Sequence, residues 1–222
     1  MLNRFLGLLL LYSACLTART EPPSEKAIND VIADLAATTG FVQKKPVRVE
    51  VIGRAGWKTW IDEQITENVK PEEIRAEELT LKRFGLIPQD FDLRAATVDL
   101  LGEQAAAVYD HRKKRLLFVD GSAEAMGDIV LVHELAHALA DQNFDLNKFL
   151  EQAPASDEAQ LARMAVVEGQ ATWLMYDAQM RKMGMSLKAN SAALQMMASA
   201  GTNLAAGMFP VFEKAPLYLR ET

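Results

Sequence analysis

The chain has 222 residues, half of them hydrophobic, with 24 Lys+Arg against 30 Asp+Glu and a formal net charge of −6. That length and composition suit one compact domain, or a small two-lobed one, behind a leader. The mixed-sign spread of charge argues against a nucleic-acid-binding surface and favours solubility. The single cysteine, Cys15, leaves everything after it without internal disulfides, so folding there must rest on packing.

Residues 1–20 read as a targeting segment. Arg4 gives a charged start, and Phe5 to Leu11 is an apolar stretch too short to span a bilayer as a mature anchor. Tyr12-Ser13-Ala14-Cys15 resembles a bacterial lipobox, with Tyr12 departing from the usual aliphatic residue. Two outcomes stay open: lipidation of Cys15, giving a membrane tether, or ordinary signal cleavage a few residues later. Either predicts export to the periplasm or cell envelope. Residues 21–26 follow as a proline-stiffened spacer, and 27–222 as the folded domain.

Ile28, Val31, Ile32 and Leu35 predict an amphipathic helix ending near Gly40. Val47–Val51 alternates and predicts a strand. Trp57, Trp60, Ile61 and Ile65 predict a helix with both tryptophans in the core. Pro71 opens a helix that stops around Gly85, and Asp92 caps another running to Gly102. Residues 105–109 and 116–119 flank the basic run Asp110-His111-Arg112-Lys113-Lys114-Arg115 as a hairpin, with His111 a solvated turn residue.

The most informative segment is Val130-Leu131-Val132-His133-Glu134-Leu135-Ala136-His137-Ala138-Leu139. Residues four apart lie on one helix face, so His133 and His137 can direct two imidazoles at one ion. Glu134 stands about 100° round the helix, within reach of a water at that ion as general base. Only His133, Glu134 and His137 interrupt the apolar run from Ile129 to Leu139. Three buried ionisable groups would each cost several kcal/mol without partners, and a zinc ion supplies them.

His111 is the one other histidine, and Cys15 lies in the targeting region, so a carboxylate is the expected third ligand. Glu168 is the first choice. Its helix opens at Ser156-Asp157-Glu158, with Asp157 and Gln160 as an Asp-x-x-Gln capping pattern, and closes at Arg181-Lys182-Met183-Gly184. Leu161, Met164, Glu168, Ala171 and Met175 share a stripe, which places Glu168 on the apolar face. Asp141 is one turn past His137, too far along a straight helix to close a tetrahedron. Asp145, beyond a helix end near Asn143, is the second choice, and otherwise a cap.

Val130–Leu139 resembles the extended zincin signature, and its pairing with a downstream Glu on a second helix is similar to the gluzincin division. The strings at 133–146 and 168–172 resemble exported bacterial and archaeal metallopeptidases near the minigluzincins, a likeness that runs from about Val47 to the C-terminus. Thr172 stands where thermolysin-like enzymes carry an Asp. The metzincin pattern fails, with Ala140 and Asn143 in place of its Gly and third His. The resemblance implies an α+β, mostly helical, zincin-like domain with a small antiparallel sheet packed on the metal-binding helix and a second ligand-bearing helix. In such an architecture Arg115–Asp120 would be the edge strand along which an extended peptide lies.

After Gly184 the chain is Ala- and Met-rich and helical in character to about Gly207, and Pro210 then breaks it. The ten methionines read as adaptable core filling. Residues 215–222 begin another helix and stop; the resembled chains tend to continue, so a C-terminal truncation is an expectation too. The functional expectation is a metallopeptidase with one Zn2+ per chain held by His133, His137 and Glu168, and Glu134 as general base. Tyr176, Tyr109, Tyr218 and His111 are the choices for an oxyanion donor. The competing reading is a non-catalytic, zinc-stabilised binding or assembly module of the envelope.

Overall fold

The computed structural model describes residues 23–104, 106–120, 128–151, 156–189 and 210–221. The expected targeting segment with Cys15, and the Ala- and Met-rich run at 190–209, lie outside the described residues. In chain order the elements are α1 (Glu25–Thr39), β1 (Arg48–Ile52), α2 (Arg54–Asn68), α3 (Pro71–Arg83), α4 (Leu93–Gln104), β2 (Ala107–Asp110) and β3 (Arg115–Val119). Then come α5 (Asp128–Phe144), α6 (Leu146–Glu151), α7 (Asp157–Lys182), a 3-10 turn at Leu187–Ala189, α8 (Pro210–Lys214) and α9 (Leu217–Glu221). The class is α+β and mostly helical. Among the described residues no helix is long and apolar enough to cross a membrane.

Punctuation residues set these boundaries. Ser24 caps α1 by accepting from the Ala27 N–H at 3.2 Å, and Gly40, at φ 76°, ends it in the left-handed region. Pro71 occupies the first turn of α3, where its missing N–H costs nothing. Asp92 caps α4 by accepting from the Ala95 N–H at 2.9 Å. The cap of α7 is Ser156, one residue before the expected Asp157, with its hydroxyl accepting from the Ala159 N–H.

The sheet has three strands in the order β1-β3-β2. It is mixed and not antiparallel as the resemblance implied: β1 pairs with β3 in parallel, from Arg48 opposite Arg115 to Ile52 opposite Val119. Antiparallel pairing is confined to the β2–β3 hairpin. A long connection through α2, α3 and α4 lets β1 run in the same sense as β3, which no tight turn could do. β3 is therefore the central strand. Its hydrogen bonds are used on both sides, so Arg115–Asp120 cannot serve as the edge that receives a peptide; the outer strand on this side is β2.

Alternation along β3 builds two cores. Leu116 and Phe118 face a cluster with Ile28, Ile32 and Leu35 of α1, Leu135 and Leu139 of α5, and Met175 of α7. Leu117 and Val119 face the opposite cluster, with Trp57, Ile61 and Ile65 of α2 and Leu93 of α4. Each fully buried leucine contributes about 1.5–3 kcal/mol. Trp57 and Trp60 stack with centroids 4.8 Å apart, and Trp57 Nε1 donates to the Leu101 carbonyl of α4. Only Trp57 is fully enclosed; Trp60 is half-buried.

Candidate metal centre

Helix α5 is apolar on nearly every side because it is packed on nearly every side, by α1, α7, β2 and β3. His133 and Glu134 are 0% and 1% exposed, and His137 is 8% exposed. Helix α7 lies along α5 and brings Glu168 to the pair of histidines. Met164, Ala171 and Met175 of its expected stripe are buried, and the Glu168 side chain is 24% exposed. Leu161 departs from that stripe at 57% exposed, because it lies in the second turn of a helix whose start runs past the core.

The two histidine Nε2 atoms are 2.9 Å apart, with ring planes at 80°. Glu168 Oε2 is 3.3 Å from His133 Nε2 and 3.6 Å from His137 Nε2. Those three edges define a circle of radius about 1.9 Å, so an ion about 2.0–2.1 Å from each atom would stand about 0.7 Å off their plane. That is the offset of a tetrahedral centre above three of its ligands. His133, His137 and Glu168 thus form a largely buried group that could hold a metal ion. An imidazole–imidazole–carboxylate set is a donor set that divalent first-row metals accept.

The electrostatics are those of a group built around positive charge. Burial raises the Glu168 carboxyl, yet hydrogen bonding to His133 and His137 outweighs it and brings the value down to about 2. Burial pulls His137 down, and the Glu168 and Glu134 carboxylates outweigh that and raise it. Glu134 is raised, chiefly by its complete burial, with the two histidines opposing. It lies outside the three-atom ligand group. Its Oε2 accepts from the Tyr109 backbone N–H at 2.6 Å, which ties the carboxylate to β2.

Three other residues take places that the sequence did not settle. Asp141 is not a ligand: it is 5% exposed and accepts from Tyr109 Oη at 2.7 Å, Lys114 Nζ at 2.7 Å and the Leu146 N–H at 2.8 Å. It thereby bolts the hairpin and the start of α6 to α5. Asp145, at φ 52°, marks the turn out of α5 and receives Lys114 and the Lys148 N–H at 3.4 Å each, so it is a cap and not a ligand. His111 corrects an expectation: it is half-buried, not a solvated turn residue, because the hairpin tip folds against a cavity wall, and burial lowers its pKa.

Tyr109 spends its hydroxyl on Asp141, which removes it as a free oxyanion donor, and Tyr218 packs against the second core cluster, on the other face of the sheet from α5. His133 Nδ1 is buried with no hydrogen-bond partner among the described residues. Among the described residues no carboxylate orients that nitrogen, as one often does for a ligating histidine.

Sequence reasoning missed the polar residues just beyond the second histidine. Gln142 Oε1 accepts from the Lys44 and Lys45 N–H groups at 2.7 and 2.9 Å, and Gln142 Nε2 donates to the Lys45 carbonyl. Asn143 exchanges hydrogen bonds with both backbone groups of Val42. The run Asp141-Gln142-Asn143 therefore clamps the hairpin and the α1–β1 connection onto α5. Two polar amides at a helix end were the available signal. Comparison of the chain with family models, with curated proteins and with solved structures returned no match.

Proposed function

We propose that the protein is an exported zinc-dependent peptidase with a zincin-like, gluzincin-type site. The observation that carries the reading is the triangle of His133 Nε2, His137 Nε2 and Glu168 Oε2, whose edges suit three corners of a tetrahedral shell. Bound there, zinc would polarise a scissile carbonyl and bring a water's pKa toward neutrality. Glu134, held by the Tyr109 N–H beside the three ligand residues, would be the group that accepts a proton and passes it on in such a hydrolysis. Export rests on the character of residues 1–20, with a tether through Cys15 as the lipoprotein variant of that proposal.

One observation favours a second reading, a zinc-stabilised binding module. Glu134 already has structural work in holding the β2 edge, so its presence does not by itself require catalysis. The test is bound zinc and hydrolysis of an unfolded protein substrate, for the wild type and Glu134→Gln. One equivalent of zinc in both, with hydrolysis abolished in the variant, supports the peptidase. One equivalent with negligible hydrolysis in both supports the module. No zinc under non-chelating conditions refutes both.

A further inference from the structure

A cavity of about 260 Å³ lies beside the hairpin. An apolar cavity of about 150 Å³ accepts a benzene ring, so this one has room for a long side chain. It is bounded by five consecutive residues, 108–112, at the β2 edge and hairpin tip, by α2, by α6 and by the start of α7. Two of its lining residues connect it to the candidate metal centre. Tyr109 holds Glu134 through its N–H, and Met164 is one helical turn ahead of Glu168.

Its chemistry is uneven in a way that selects an occupant. Trp60, Leu150 and Met164 supply apolar wall, suited to a methylene stem. The cation in the wall is already engaged: Arg112 donates to Asn68 and pairs with Glu67 at 3.7 Å. Asp110 is occupied by the turn amides of Arg112 and Lys113 and by Arg115. Burial lowers the His111 pKa, so that ring adds no positive charge at neutral pH. Glu73 and Glu151 remain, from α3 and α6; Glu151 is met by the neutral Asn147 amide, and the Glu73 side chain by no ion pair among the described residues.

We propose that this cavity is a side-chain subsite for a basic residue of the bound peptide, arginine or lysine. The stem lies on Trp60 and Met164, and the charged head meets Glu73 and Glu151. The Trp60 ring adds a cation–π face for such a head. That the occupant belongs to a peptide undergoing cleavage rests on the peptidase reading; the selection of a cation with an apolar stem rests on the cavity alone.

The test tracks the three indole N–H resonances of Trp57, Trp60 and Trp173, with Trp60 identified through Trp60→Phe. N-acetyl-argininamide and N-acetyl-lysinamide are titrated against N-acetyl-leucinamide and N-acetyl-glutamic amide. The expected result is a saturable shift of the Trp60 signal with the two basic probes, reduced by added salt. Loss of about tenfold in affinity is expected in Glu73→Gln/Glu151→Gln, whose mutated positions are half-exposed and exposed. Equal binding of the leucine probe, or no shift with any probe, overturns the proposal. Cleavage sites in an unfolded protein supply the separate arm. Basic-probe binding without cleavage keeps the subsite and rejects the peptidase. Cleavage with no basic residue at a fixed position and no indole shift rejects the subsite and keeps the peptidase.

Discussion

Replacing Glu168 with Gln is the sharpest perturbation of the proposed centre. The amide keeps the shape of the side chain and removes its negative charge, while the two Nε2 atoms stay 2.9 Å apart. Four-ligand structural zinc sites bind with about 10–16 kcal/mol, or about 2.5–4 kcal/mol per ligand, so losing one ligand weakens affinity about 10²–10³-fold. With free zinc at 100 times the wild-type Kd, the wild type gains about 2.7 kcal/mol of stability, or about 5–10 °C in Tm for a chain of this size. The variant, at the same zinc concentration, gains at most about 0.4 kcal/mol, about 1–2 °C. The assay is thermal unfolding with buffered zinc and with chelator, paired with Asp145→Ala, which should retain the full wild-type gain. An equal zinc-dependent gain in Glu168→Gln would refute the ligand assignment, whatever the activity showed.

Tyr109→Phe removes the hydroxyl that meets buried Asp141 and should cost about 1.5–3 kcal/mol in denaturant unfolding, with zinc stoichiometry unchanged because neither group is a ligand. Trp57→Ala, at a fully buried stacked position, should cost about 3–5 kcal/mol in the same experiment. In chelator, the His137–Glu168 pair should stabilise the metal-free protein in a defined window. The raised His137 contributes fully below its ordinary 6.5 and loses that contribution as pH rises through its elevated value. The depressed Glu168 contributes above its ordinary 4.5 and loses it as pH falls toward about 2. Glu168→Gln should therefore lower the metal-free Tm most between pH 4.5 and 6.5, and a deficit that grew steadily above pH 8 would contradict this pairing. Zinc binding requires unprotonated imidazoles, so acidification through the raised His137 value should release the metal, as read by a chromophoric chelator.

Much of this structure is local and so was legible in the chain. The His133/His137 spacing is a property of any α-helix, and the apolar residues around it announce burial before the partners are known. Ser24, Pro71, Asp92 and the left-handed Gly40 act within one turn of themselves, which is why the helix boundaries track the sequence. Glu168 was selected by its place on an apolar stripe, although Leu161 of that same stripe is exposed. Periodicity fixes a direction around the helix axis, whereas the length over which a neighbour covers that face depends on where the helices cross.

What tertiary structure alone decided is everything that depends on two segments meeting. The parallel entry of β1 beside β3 made β3 the central strand and β2 the outer one, since strand order is set by a connection of three helices and not by strand composition. The buried place of Asp141 and the backbone clamps made by Gln142 and Asn143 depend on groups roughly 30–100 positions away. The Glu134 hydrogen bond to Tyr109, the 1.9 Å circle of donors and the cavity between Glu73 and Glu151 likewise exist only after packing. Sequence reports which side chains need partners; only the folded chain reports which partners they find.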